Sequence, residues 1–241
     1  MKSLGIDGCK KGWFTVELTD VDWTTMVYKN INEIWDYYKN TNYITIDIPI
    51  GMRKNENMER KCDLEARRIL GPGRESSVFP VPCREATYAS SYEEAHKINK
   101  QKVNRGLSKQ TWGIIPKIRE VDILLMREKD SRNQIQESHP EIAFWALNGR
   151  KALKYNKKSE NGIEERIEIL SKYDGRILDI YEKSLAQYLR KEVAKDDILD
   201  AICMAITGAL AQSKNYKTIP SIIEKDEEGI EMKIVYYGGI I

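Results

Sequence analysis

The chain has 241 residues, 41% hydrophobic and 32% charged, with 39 basic against 37 acidic side chains and a net charge of +2. That length allows one large domain or a core domain carrying an inserted lobe, and the apolar share can build a real core. The balanced charge leaves a polyanionic partner open, and the lack of any apolar run of membrane length argues against a membrane-spanning chain.

Cys9, Cys62, Cys83 and Cys203 show no C-x-x-C spacing, and His96 and His139 are the two histidines, so a structural zinc site is not expected. With no signal peptide, the expectation is a reducing, cytoplasmic location and four idle thiols. Basic residues cluster at Lys10–Lys11, from His96 to Lys109 and from Arg150 to Lys158. The default for each cluster is a solvated surface.

In chain order, residues 3 to 8 read as a buried strand ending at Asp7, with Gly8 and Gly12 bracketing a tight turn. Trp13 to Leu18 and Thr24 to Lys29 are further strands, the first pair forming a hairpin with Lys10 and Lys11 at its tip. Asn30 or Asn32 caps a helix to about Lys39, with Ile31, Ile34, Trp35 and Tyr38 as its apolar stripe. Tyr43 to Ile48 is a fourth strand, halted by Pro49 and Gly51. The order β-β-β-α-β makes strands 1 and 4 parallel neighbours. Asp7 and Asp47 then fall near strand C-terminal ends, where open α/β sheets place ligands.

Residues 52–133 break this rhythm and read as a helical insertion or lid within a single domain spanning 1–241. Helical patterns run from Glu56 to Leu70, from Tyr92 to Arg105 behind the capping box Ser91-x-x-Glu94, and from Pro116 to Lys129 with Pro116 in the first turn. Arg60, Asp63 and Arg67 share a helix face, as an ion-pair ladder or an anion clamp. Gln134 to Ser138 is a fifth strand. Pro140 opens a helix to Leu147, closed by Gly149. Helices over Gly162–Tyr173 and Leu178–Lys191 follow, and Pro220 to Tyr237 reads as a hairpin turning at Asp226–Gly229.

Asp197 to Gly208 is a helix whose apolar face carries Ile198, Ile202, Ala205, Ile206, Ala209 and Leu210. Asp197 and Asp200 lie side by side on it, and like charges there cost up to roughly half a kcal/mol unless something offsets them. Either the pair is an acidic first turn with Asp196 or Asp197 as N-cap, or it faces a cation. Four aspartates in this topological order (Asp7, Asp47, Asp197, Asp200) favour the cation. Clustered carboxylates repel and raise one another's pKa. Oxygen-only donors suit Mg²⁺ or Mn²⁺. Two such ions about 3.5–4 Å apart activate water in phosphodiester hydrolysis.

This arrangement resembles the RNase H-like fold, an α/β mixed five-stranded sheet with a β-β-β-α-β-α core. The Asp197-x-x-Asp200-Ala201 run is similar to RuvC-type Holliday-junction resolvases, in which acids at these places bind two catalytic metals. Those enzymes usually carry Glu on strand 4, one methylene longer than Asp47. A closer resemblance covers nearly the whole chain. It rests on Gly5-Ile-Asp7-Gly-Cys9-Lys-x-Gly12-Trp13, Ile46-Asp47-Ile-Pro49-Ile-Gly51, Arg60-x-Cys62-Asp63-x-x-Ala66-Arg67 with Leu70-Gly71, and Ser77-Val-Phe79-Pro-x-Pro82. It continues in His139-Pro140-Glu141 with Phe144, in Lys157-Lys158 to Gly162 and Arg166, and in Asp197-x-x-Asp200-Ala201. On these motifs the chain is identified as a member of the predicted RNase H-like nuclease family, domain-of-unknown-function family 429.

The resemblance implies a metal-dependent nuclease acting on DNA or RNA. Asp7 would bridge two Mg²⁺ or Mn²⁺ ions, Asp47 and Asp200 would each hold one, Asp197 would complete the shell, and Glu141 is a further catalytic candidate. Lys10, Arg60, Arg67, Arg84, His139, Lys157 and Lys158 are candidates for binding substrate phosphates. His139 is equally readable as a strand-end histidine bonded to backbone, the lysines as solvated, and Trp13 and Trp145 as core rather than base-stacking residues. Resolvases of this type are dimers, which implies a homodimer, although no dimer face is legible. Two other readings stand beside this one: a phosphotransferase of the actin-like and sugar-kinase type, and a non-catalytic binding module on the same scaffold.

Overall fold

The structure is a computed structural model that describes residues 2–41, 43–54, 58–212 and 216–239. In chain order, β1 (Lys2–Cys9), β2 (Gly12–Thr19), β3 (Trp23–Tyr28), α1 (Ile31–Tyr38) and β4 (Tyr43–Ile46) come first. Next are α2 (Lys61–Leu70), a 3-10 turn (Glu75–Ser77), α3 (Arg84–Thr87), α4 (Tyr92–Val103), α5 (Lys109–Arg127) and α6 (Ser131–Gln134). Then come β5 (Ile135–Glu137), α7 (Pro140–Leu147), α8 (Glu160–Ser171), α9 (Ile177–Gln187), α10 (Lys195–Ala211), β6 (Tyr216–Lys225) and β7 (Glu231–Tyr237). The chain forms two compact units, one of residues 1–47, 133–217 and 235–241, the other of 48–132 and 218–234.

The first unit is an α/β layer built on a five-stranded mixed sheet of order β3-β2-β1-β4-β5. β1 pairs antiparallel with β2 and parallel with β4, and β5 runs parallel to β4. The expected β-β-β-α-β start and the parallel strands 1 and 4 are both present. The hairpin tip lies at Lys10–Lys11, since β1 continues through Cys9 and pairs it with Gly12. Asn30 caps α1 by accepting from the Glu33 N–H, and Ile31, Ile34, Trp35 and Tyr38 are its buried stripe.

α10 is the spine of this unit. Twelve of its seventeen residues are buried, so it is apolar nearly all round. Only Ala209 and Leu210 of its expected apolar face are less than fully buried. It packs with α7, α8, α9, Phe14, Val16 and Leu18 into one core. Its N-cap is Ala194, and neither Asp196 nor Asp197 takes that place. Asp197 stands at the third helical position and its Oδ2 accepts from the Ala194 N–H at 2.9 Å, the carboxylate half of a capping box.

In the second unit α2 begins at Lys61; Glu56, the expected helix start, lies outside the described residues. α5 starts earlier than expected. Ser108 caps it, accepting from the Thr111 N–H at 3.0 Å, and Pro116 is inside the helix rather than in its first turn. A serine cap outweighs the proline signal because it satisfies a donor the first turn leaves open, whereas an interior proline only forgoes one bond. The β6–β7 hairpin turns at Asp226, whose Oδ1 accepts from the N–H groups of Glu228 (3.0 Å) and Ile230 (2.9 Å).

Candidate active site

Side chains alternate across a strand, so Ser3, Gly5 and Asp7 share one face of β1, and Thr45 and Asp47 share a face of β4 and its continuation. That face meets α10. The Ser3 hydroxyl donates to the Ala205 carbonyl at 2.9 Å, and the Thr45 hydroxyl donates to the Met204 carbonyl at 2.6 Å. Gly5 lets the two backbones touch: a Cβ there would stand 2.1 Å from the Ala201 oxygen and 2.2 Å from the Ala205 nitrogen. Thus Ser3 lies against Ala205 and Gly5 against Ala201, and the helix runs opposite to the strand. Two strand residues advance about 6.6 Å and four helix residues about 6 Å, so the next step brings Asp7 abreast of Asp197. Asp47 follows Thr45 on the same side, and the Asp47 N–H donates to the Ile6 carbonyl at 3.0 Å, extending the β1–β4 ladder by one rung.

The structure therefore brings Asp7, Asp47, Asp197 and Asp200 into one another's fields. Burial raises Asp7 well above the usual carboxylate range, and Asp47, Asp200 and Asp197 push it further. Burial also raises Asp47 to about 6, with Asp200 adding to the shift and His139 opposing it. Asp197 is raised to about 6, first by burial, with its bond from Ala194 pulling the other way. Asp200, with 2% of its surface exposed, is raised by burial against the pull of Lys157. Asp7 Oδ1 accepts from the Gly8 N–H at 2.7 Å.

Lys157 is the cation at this cluster. Its Nζ donates to Asp200 Oδ2 at 2.8 Å and lies 3.3 Å from Asp196 Oδ2. Burial works against its charge, but Asp200, Asp196 and Asp7 outweigh that and keep it firmly protonated. Lys158 beside it is exposed, as is Lys10 at the hairpin tip.

Glu141, in the first turn of α7, is buried and its carboxylate is taken by Arg166 of α8 at 2.5 Å. Arg166 is fully buried, donates also to the Gly162 carbonyl at 3.1 Å and lies over the Phe144 ring. The sequence alone assigns Arg166 no role, because a helix pattern does not reveal which acid a distant arginine will meet. Trp13 is wholly buried in the core, and Trp145 packs edge-on against Tyr236.

Arg60, Arg67 and Arg84 belong to the second unit and are committed there. Arg60 is 2% exposed, forms a two-pronged pair with Asp63 and donates to the Ile50 carbonyl. Arg67 bonds Glu59 and donates to the Val78 carbonyl at 2.9 Å. Arg84 bridges Asp122 and Asp226 at 2.9 and 2.7 Å. Of the expected phosphate-binding arginines, Arg60 thus ties Asp63 to the Ile50 carbonyl and Arg84 acts as an internal strut between two carboxylates. Asp226, which the sequence marked only as a turn, is the hub of one such strut.

In donor chemistry the aspartate cluster offers carboxylate oxygens, the type a hard divalent ion takes, with Lys157 already on Asp200. Among the described residues, no group of three or more His, Cys, Asp or Glu is spaced to hold a metal ion. Also among the described residues, no helix is long and apolar enough to cross a membrane.

No match is found among curated proteins or among solved structures. Residues 5–225 match the family described as "Protein of unknown function (DUF429)", which takes in the end of β1, β4, α10 and every aspartate of the cluster, and the chain belongs to that family.

Proposed function

We propose that the protein is a metal-dependent phosphodiesterase acting on nucleic acid, an RNase H-like nuclease whose site is the aspartate cluster of the first unit. The observation that carries this reading is Asp7: a buried carboxyl raised by three further aspartates from β4's end and α10. Such a cluster is costly to fold and is relieved by a cation. Asp7, Asp47 and Asp200, with Asp197, would hold Mg²⁺ or Mn²⁺, which would supply positive charge to a phosphodiester and acidify water. Lys157 opposes the burial that raises Asp200 and would offer an ammonium to a phosphate oxygen. Exposed Lys10 and Lys158 would meet the nucleic-acid backbone. A homodimer and a cytoplasmic location belong to the same proposal; the four buried, free cysteines are in keeping with a reducing compartment.

The deciding experiment is a thermal-melt titration with Mn²⁺ and Mg²⁺ on the wild type, Asp7→Asn and Asp200→Asn. It is followed by cleavage assays on junction, duplex and single-stranded substrates. A metal-dependent rise that both variants lose, at about 2.7 kcal/mol for a hundredfold excess over Kd, supports the reading. No metal response in the wild type overturns it. One observation favours the non-catalytic binding module as a second reading: Lys157 already neutralises part of the cluster. That reading predicts no metal response. ATP binding or hydrolysis would instead point to the phosphotransferase.

A further inference from the structure

The second unit holds a cavity of about 680 Å³, within the roughly 300–1,000 Å³ of sites that take small molecules. Its position follows from local sequence. Gly71 ends α2 in a left-handed turn, and the irregular stretch through Pro80 and Pro82 makes no helix or sheet ladder of its own. α4 stops at Asn104, which is also left-handed. These breaks leave a concave space between the first turns of α2, the Phe79–Val81 stretch and the α4–α5 loop.

One wall is apolar: Leu64, Phe79, Val81 and Val103 line it and are only half-buried, so their free surface faces the cavity. The polar lining includes the cations Arg53, Lys61, Arg68 and Arg105 beside Glu59 and Glu65. Two carboxylates are each shared by two of the cations around this space. Glu224 takes both Arg53 at 2.7 Å and Lys61 at 2.8 Å. Glu59 takes both Arg67 and, at 2.6 Å, Arg105. Each trio keeps one positive charge over. Arg68 is exposed and pairs with no acid among the described residues, while Glu65 returns a single negative charge. Arg60 is cancelled by Asp63. The cavity thus carries an excess of guanidinium groups opposite an aromatic and aliphatic wall.

We propose that this cavity binds a small organic anion with a planar body, of the nucleoside monophosphate class. The base would lie against Phe79 and the phosphate would meet Arg68 and Arg105. Guanidinium forks match phosphate oxygens, and an aromatic face accepts any base. A free phosphate would use only the cationic part. A nucleoside would use only the apolar part. The volume accommodates both halves at once, and the proposal does not rest on the acid cluster or on nuclease activity.

The test is calorimetric titration of the full chain in EDTA with AMP, GMP, CMP and UMP, against inorganic phosphate and adenosine as half-ligands. At least one monophosphate is expected to bind below about 1 mM, and at least about tenfold more tightly than either half-ligand. Arg68→Gln is expected to weaken that binding by about tenfold, with the ligand-free melting temperature unchanged because Arg68 holds no ion pair among the described residues. Arg105→Gln should weaken it as well, and Asp7→Asn should leave it intact. The proposal is overturned if no monophosphate binds at 1 mM, if inorganic phosphate binds as well as the nucleotides, if Arg68→Gln changes nothing, or if Asp7→Asn abolishes binding.

Discussion

Gly5 of β1 lies against Ala201 of α10 so closely that a methyl group on it would stand 2.1 Å from the Ala201 carbonyl oxygen. The obstacle is backbone on both sides, so no side chain can swing away. Gly5→Ala is therefore expected to push α10 off the sheet and destabilise the protein by at least about 1–3 kcal/mol. Chemical denaturation measures this. An unchanged midpoint would mean that the helix is not seated as described.

Replacing Lys157 with Met removes the cation that Asp200 and Asp196 share. Asp200 is then buried beside like charges. We expect a loss of roughly 1–3 kcal/mol in EDTA, below the usual figure for a broken buried pair because Lys157 is itself partly exposed. The same substitution should tighten Mn²⁺ binding, since the ion no longer competes with an ammonium for Asp200. Weaker Mn²⁺ binding would show instead that Lys157 supports the metal.

The raised carboxyls give the stability a pH dependence of definite sign. Asp47 and Asp197 rise from 3.8 to about 6 in the fold, so the native state holds protons that the unfolded chain has released. Their contribution is complete below pH 3.8 and is lost as pH rises through 6. In EDTA the melting temperature should fall by several degrees between pH 5 and pH 7.5, at about 2–4 °C per kcal/mol for a chain of this size. Asp47→Asn should flatten that slope, and a slope of opposite sign would contradict the burial of these groups.

Arg166→Met leaves the Glu141 carboxylate buried without its main partner, at a cost of roughly 3–5 kcal/mol. Combining it with Glu141→Leu should recover most of the loss, because the uncompensated charge is gone. Glu141→Gln alone separates the two roles considered for this residue. If it abolishes cleavage without moving the melting temperature, Glu141 acts in the reaction; if it lowers the melting temperature and spares cleavage, it acts through Arg166.

In the second unit, Arg84→Met should cost roughly 3–5 kcal/mol, since Asp122 and Asp226 are both buried around that one guanidinium. Arg84→Lys should rescue only part of this loss, because an ammonium has no second nitrogen to replace the bond from Arg84 Nε to Asp122 at 3.2 Å. Equal stability of the wild type and Arg84→Met would return Arg84 to the role of a surface phosphate ligand.

Much of the sheet was legible in the sequence because strand alternation is local. Asn30 with its four-residue stripe, the Lys10–Lys11 tip and the Asp226 turn all follow from short-range rules. The four aspartates could be grouped because Asp7 and Asp47 stand near strand C-terminal ends and Asp197 and Asp200 lie one turn apart near the start of α10. What escaped notice depends on contacts across long stretches of chain. Lys157 lies in an irregular segment with no periodicity to aim it, and its bond to Asp200 spans 43 residues. Arg166 reaches Glu141 across 25 residues, from a face that reads as an ordinary helix surface. Pro116 was misjudged because a proline in the first turn is the commoner case, and the competing Ser108 lies a full two turns earlier.

The bond from Ser3 to Ala205 joins residues 202 positions apart, and this sets a constraint on biosynthesis. β1 leaves the ribosome well before α10, which covers one of its faces. At about 5–20 residues per second, that face waits roughly 10–40 s for its cover. The residues that make it ready for α10 are Ser3, Gly5 and Thr45, small or hydroxylated rather than greasy. The nascent sheet therefore offers little apolar surface there to a wrong partner, while Phe14, Val16 and Leu18 on β2 remain the part that a chaperone would need to shield.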